Sequence, residues 1–239
     1  MISAEGRSIG HPAFVLACLS LASGCTDVLT FLKLGEVFTS AMTGNTALLG
    51  IALSHGKMLA ASRSLTALFG FMVGAGLAAV IYNLVQASGP KAGTGLRWLL
   101  GLELVCLGGC TALWSVSSNP IEARSLYPII VLSALSMGIQ GLAAQRISSS
   151  GISTIVFTSA LIRIVTSLTG TLMHLAGAAE SRVSMKGHLA TFAAYSGGAA
   201  LTGLLVSRDM GLLIWIPALA VLLALGFSAL PSELAQQGA

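Results

Sequence analysis

The stretch SLTALFGFMVGAGLAAVIYNLV, residues 64–85, holds 22 residues without one charged side chain. A helix at a water boundary needs a polar face, and this stretch has none. Seven further apolar segments accompany it, so that the set runs 13–32, 37–53, 64–85, 98–116, 126–145, 152–175, 189–206 and 211–230. A bilayer core is crossed by roughly 20 apolar residues in a helix. Within lipid only helices and closed barrels satisfy every backbone group. The runs are continuous rather than alternating, which selects helices. Charged residues make up 8% of the 239-residue chain and hydrophobic residues 55%, against about 25% charged in a soluble domain. The reading is an all-α, polytopic helical membrane bundle, one transmembrane domain over 1–239, multi-pass in a bacterial inner (plasma) membrane with the lipid bilayer as its first partner.

The net charge of +4 is spread over single residues in short connections, among them Lys33, Lys57, Arg63, Lys91, Arg97, Arg124 and Arg146. No basic run is present to follow a phosphate backbone, so nucleic acid is not an expected partner; cationic loops fit instead. Cys18, Cys25, Cys106 and Cys110 lie inside apolar segments. No set of His and carboxylate accompanies them at metal-ligand spacing, and they read as small hydrophobes, with no metal and no cofactor expected. LASGC at 21–25 imitates a lipid-acceptor site, but Ala22 is small and the apolar run continues to Leu32. The expectation is a retained first membrane helix.

The two halves resemble each other. Repeats are expected over 12–116 and 126–230, each with three spanning helices plus one short, broken or re-entrant helix. At an offset of 115, Thr39 falls on Thr154 and Thr43 on Thr158. Transporter folds carry such repeats. If 37–53 and 152–175 do not span, the halves are related by inversion; if they do, the repeat is parallel. Basic residues divide almost evenly between the two sides, so charge does not set the orientation. With 17 residues, 37–53 is at the short limit for a span.

The stretch GCTDVLTFLKLGEVFTSAMTGNTALLG, 24–50, resembles the signature of the YoaK family of bacterial integral membrane proteins, through Gly24, Asp27, Phe31, Leu32, Gly35, Val37, Phe38, Met42, Thr43, Gly44 and Asn45. GIQGLAAQRISSSGISTIVFTSALIRIV, 138–165, is similar to the family's second signature, with Gly141 and Thr158-Ser159 as departures. The resemblance implies a small multi-span membrane protein, usually drawn with six helices, and no established substrate.

Three ionisable groups lie inside the segments: Asp27, Glu103 and Arg163. Charges at membrane depth are costly and tend to face the bundle interior, pair, or mark a pathway. Thr39, Ser40 and Thr43 suit a helix cap or a site. Gly44 permits a close backbone approach, and Asn45 needs several partners if buried. A helix broken at Gly44-Asn45 would aim N–H groups into the bundle, a ready anion site. Thr158, Ser159 and Arg163 would supply the second half of one pocket. Gly70, Gly74 and Ala78, and Gly198 with Thr202, form small-residue stripes for packing within the chain or for a homodimer. No motif of an intramembrane enzyme is present, so no enzymatic activity is expected. The functional expectation is a secondary transporter or channel-like carrier of a small solute, leaning weakly to an anion, with Asp27, Thr39, Thr43, Gly44, Asn45, Thr158, Ser159, Arg163 and Glu103 as candidate binding or coupling residues. The competing expectation is a structural or accessory membrane subunit.

Overall fold

The computed structural model describes residues 12–89, 93–117, 121–147, 161–162, 164–166, 168–169, 178–208 and 210–229. Eight helices and no strand are formed by the described residues: α1 Pro12–Lys33, α2 Met42–Ser54, α3 Met58–Ala87, α4 Thr94–Ser115, α5 Ala123–Ile147, α6 Ala178–Leu205, α7 Met210–Leu213 and α8 Ile216–Ser228. Four of them are long and apolar enough to cross a bilayer: α1, α3, α4 and residues 124–147 of α5. α2 has 13 residues. At 1.5 Å per residue it reaches about 20 Å, short of a hydrocarbon core of roughly 30 Å.

Two boundaries depart from the apolar pattern. α6 starts eleven residues before the segment expected at 189, so polar turns carrying Lys186 and His188 are helical too. The last apolar segment, 211–230, is interrupted at Ile214 and Trp215. Pro217 stands just inside α8. It has no N–H to offer the carbonyl of Leu213, so the ladder cannot continue through it.

Close contacts fix the helix directions. Along α1 and α6 the numbering rises together: Gly24 lies on the backbone of Tyr195, and Gly203 lies beside Val28. α3 and α5 are parallel as well, with Gly70 on Val131 and Ala134 and Gly138 on Phe71 and Ala75. α5 runs against α1, because Gln140 bonds Leu19 while Met137 meets Ser23. It also runs against α4: Leu99 to Leu107 share a core cluster with Met137 to Ile147, and Cys110 to Trp114 share one with Leu126 to Ala134. α8 opposes α1 in the same way. So α1, α4 and α6 point one way, and α3, α5 and α8 the other.

Lipid tails are as apolar as leucine, so apolar burial alone does not bind these helices to each other; close packing and interhelical hydrogen bonds do. The sequence supplies both. Gly70, Gly74 and Ala78 are buried on one side of α3, against α5, while Leu65, Phe69, Met72, Leu77 and Leu84 stay exposed, as a lipid-facing side requires. Gly198 sits on the carbonyl of Leu21 and on Cys25. Both small-residue stripes are therefore used inside the chain. Toward its centre the bundle buries hydroxyls and amides, including Ser20, Ser23, Thr26, Thr30, Ser133, Ser136 and Gln140.

Candidate functional site

The chain does break in the stretch that the polar residues mark, but earlier than Gly44-Asn45. α1 ends at Lys33, residues 34–41 are not helical, and α2 begins at Met42, so Gly44 and Asn45 belong to its first turn. Two left-handed residues make the reversal, Gly35 at φ 83° and Glu36 at φ 62°. Gly35 has two reasons to lack a side chain: its φ, and the Arg63 guanidinium, which occupies the space of a Cβ. Only glycine visits that region without cost, so Glu36 carries roughly 1–2 kcal/mol of strain.

The reversal lays residues 39 and 40 against Asp27, two turns before the end of α1. Asp27 is 1% exposed. Its Oδ1 accepts the backbone N–H groups of Thr39 at 2.8 Å and Ser40 at 2.7 Å, with the Thr39 hydroxyl at 3.4 Å. Its Oδ2 accepts the Ser40 hydroxyl at 2.6 Å and the Tyr195 hydroxyl of α6 at 2.9 Å. Five donors therefore converge on one carboxylate, from the loop and from α6. The hydroxyls expected to cap α2 do not; its N-cap is Ala41, without a side-chain cap bond. The broken segment does present backbone N–H groups inward, as an anion site would, but the anion that the loop's groups hold is the protein's own Asp27.

Asn45 secures the other side of the loop. Its amide nitrogen donates to the Phe38 carbonyl at 2.6 Å, and its amide oxygen accepts the Phe38 N–H at 2.9 Å. The side chain thus pairs with one residue's backbone as a neighbouring strand would, and Asn45 is fully buried. The Phe38 ring stacks on Phe31 with centroids 4.7 Å apart. Gly44 passes beneath it, where a Cβ would sit 3.0 Å from Phe38 Cδ2. Thr43 faces outward and joins none of this. Asn45→Ala orphans both backbone groups of Phe38 at about 1–3 kcal/mol each when buried. The expected result is a loss of about 2 kcal/mol in detergent unfolding and faster proteolysis at 34–41. An unchanged unfolding midpoint would mean that water replaces the amide.

Glu103 lies elsewhere. It is fully buried on α4, and neither carboxyl oxygen has a hydrogen-bond partner among the described residues. Cys110 on α4 meets Ser133 on α5 at 3.0 Å. Glu103 is seven residues before Cys110, and Gln140 is seven after Ser133. In an antiparallel pair both steps move two turns in the same direction, so Glu103 and Gln140 stand at one level. Gln140 spends both amide hydrogens on α1, at the Leu19 carbonyl (2.8 Å) and the Ser23 hydroxyl (2.7 Å). Its Oε1 is buried without a partner, as is Ser20 Oγ. A mostly apolar cavity of about 20 Å³, the size of one water, reaches from Leu107 on α4 to Thr26, Leu29 and Thr30 on α1, with Trp114 and Pro217 also in its wall.

The candidate residues thus fall into two groups. Asp27, Thr39, Gly44 and Asn45 build the loop anchor; Glu103 stands apart, at the Gln140 level. Thr158, Ser159 and Arg163 lie outside the described residues. Sequence reasoning missed Tyr195, Gln140 and Ser20. Gln140 carried a signal, an amide inside an apolar run, whereas the tyrosine and serine are unremarkable in their own segments.

Residues 15–227 match the family model described as "Protein of unknown function (DUF1275)". The chain is 33% identical over 162 residues to the UPF0700 transmembrane protein YoaK of Bacillus subtilis (strain 168), an alignment covering 66% of this chain and 68% of that protein. No solved structure matches.

Proposed function

The chain belongs to the DUF1275 family, and from that premise we propose that it is a small secondary carrier whose two halves form an inverted repeat of three spans each. One observation carries the reading: α1 and α5, the first helices of the two halves, run in opposite directions and meet through buried polar groups, Gln140 on Leu19 and Ser23. The partner exchange between the halves supports it. α1 packs in parallel on α6 through Gly24 and Gly198, while α5 packs in parallel on α3 through Gly138 and Gly74. In each case the first helix of one half is paired with the long helix of the other. Carriers of this build bind at the interface of the repeats and rock one against the other. The short α2, entered by a non-helical loop, is the discontinuous element of the first half.

The solute class stays at "small". The loop at Asp27 argues against a free anion there, since its N–H groups are already engaged, and any lean to an anion rests on Arg163. The competing reading, an accessory subunit without transport activity, is favoured by that same saturation, which suits a structural tie.

The test is uptake into liposomes containing the purified protein, against a panel of labelled amino acids, small carboxylates, sugars and inorganic anions. The carrier reading expects at least one solute to move several-fold faster than into protein-free vesicles, and to slow in Gln140→Leu. Folded protein that moves none of them would leave the accessory reading.

A further inference from the structure

The polar groups buried on α1, α4 and α5 near the Gln140 level are unevenly paired. Glu103 offers two carboxyl oxygens, Gln140 its Oε1 and Ser20 its Oγ, all buried and all without a partner among the described residues. The orientation of the Gln140 amide is settled by the Leu19 carbonyl, which can only accept and so must face the nitrogen. An acceptor is therefore left over on α5 at the level where α4 brings a carboxyl. What is missing is a hydrogen to share between them.

A proton supplies it and a metal cation does not. α1, α4 and α5 are unbroken at this level, so their backbone carbonyls are spent in the helices and cannot complete a coordination shell of six or more oxygens. One proton on Glu103 needs one acceptor, and Gln140 Oε1 is a buried acceptor without a partner among the described residues at the same level. A small cavity begins at Leu107, one turn along α4 from Glu103 and on the same face; its surface is mostly apolar, because the hydroxyls of Thr26, Thr30 and Thr111 turn back onto their own helices.

We infer that Glu103 is the proton-carrying group of this protein, held by Gln140 when it is loaded. On loading, a proton from water bonds to one carboxylate oxygen of Glu103, and the new O–H donates to Gln140 Oε1. On unloading the same proton returns to water and a carboxylate remains. The titratable and charged groups on the elements around Glu103 are Arg97, Cys106 and Cys110 on its own helix; Cys18, Cys25, Asp27 and Lys33 on α1; Arg63 and Tyr82 on α3; and Arg124, Tyr127 and Arg146 on α5, with Arg97 exposed and Arg146 stacked 4.4 Å over the Tyr82 ring. α8 carries none. No cation among the described residues bonds either carboxyl oxygen of Glu103.

The assignment rests on the carrier reading for its purpose and on the Glu103–Gln140 pairing for its chemistry. The test is infrared difference spectroscopy of the purified full chain in lipid vesicles, with no solute added, titrated from acid to alkaline pH. The expected result is a protonated-carboxyl C=O band that is lost in one titration, is absent from Glu103→Gln, and moves to the frequency of a weaker hydrogen bond in Gln140→Leu. A band that persists in Glu103→Gln overturns the assignment, and so does the lack of a titrating band in folded wild-type protein. Should Glu103→Gln not fold, Glu103→Asp is expected to move the titration midpoint, and an unmoved midpoint overturns the proposal. Sodium that abolishes the band at constant pH would replace the proton by a metal cation. Because no solute is present, a titrating Glu103 together with failed uptake sinks the carrier reading alone; uptake without a titrating band sinks the proton site alone.

Discussion

Replacing Asp27 with alanine is expected to lower the stability of the folded protein by about 4 kcal/mol, since buried backbone donors left without an acceptor cost roughly 1–3 kcal/mol each. The two that matter are the N–H groups of Thr39 and Ser40, which no rotation can redirect. The three hydroxyls can turn to other acceptors. That difference makes Asp27→Asn the informative companion. Its remaining oxygen can keep both N–H groups, while its amide nitrogen faces Ser40 and Tyr195, whose hydroxyls accept as readily as they donate. Asparagine is therefore expected to cost only about 1–2 kcal/mol, the scale of one charge-assisted bond. The measurement is unfolding of the purified protein in detergent, with limited proteolysis at 34–41 as a local readout. An alanine variant as stable as wild type would mean that the loop is held by Asn45 and Phe38 without the carboxylate.

The second large effect is expected where helices touch backbone to backbone. A Cβ at Gly24 would fall on the carbonyl of Tyr195, and one at Gly138 on the carbonyl of Phe71. A side chain in the way can rotate; a helix backbone can only move off. Gly24→Val and Gly138→Val are each expected to cost about 3 kcal/mol, the upper range for an overfilled interior. Gly76 is the control, since nothing lies within 4 Å of its added Cβ. Gly76→Ala should stabilise α3 by about 0.5–1 kcal/mol through lost backbone freedom in the unfolded chain. Gly24→Val should also couple to the loop, because moving α6 away carries the Tyr195 hydroxyl from Asp27. In a double-mutant cycle, Tyr195→Phe is then expected to cost less in the Gly24→Val background than alone. Full additivity would show that the loop does not feel the helix spacing.

Much of this is legible in the sequence, residue by residue. Apolar runs of about 20 residues locate α1, α3, α4 and α5 to within a few positions. The hydroxyls and the amide of FTSAMTGN mark a real discontinuity. The break itself is displaced upstream because Gly35 and Glu36, rather than Gly44, adopt the left-handed backbone that turns the chain. Gly44 is small for the sake of the Phe38 ring. Asp27 and Glu103 stand out in the sequence alike, as acids in apolar helices, yet they have opposite surroundings. One is saturated by five donors and the other is buried without a hydrogen-bond partner among the described residues. Nothing within a few residues of either distinguishes them, because the donors that hold Asp27 come from the loop after α1 and from α6.

The sequence alone determined the class of molecule, its helices, and the presence of a polar interruption near residue 40. Those are local properties: in lipid each helix must satisfy its own backbone, so length and apolarity suffice to define it. Only the tertiary structure decided which polar groups meet. The Tyr195–Asp27 bond spans 168 residues and the Gln140–Leu19 bond 121. Such pairings depend on which glycines let two helices close to contact and on the direction in which each helix runs. That is why the loop amides, open to a ligand on paper, hold Asp27 in the folded chain, and why Glu103 is the carboxyl left without a partner among the described residues.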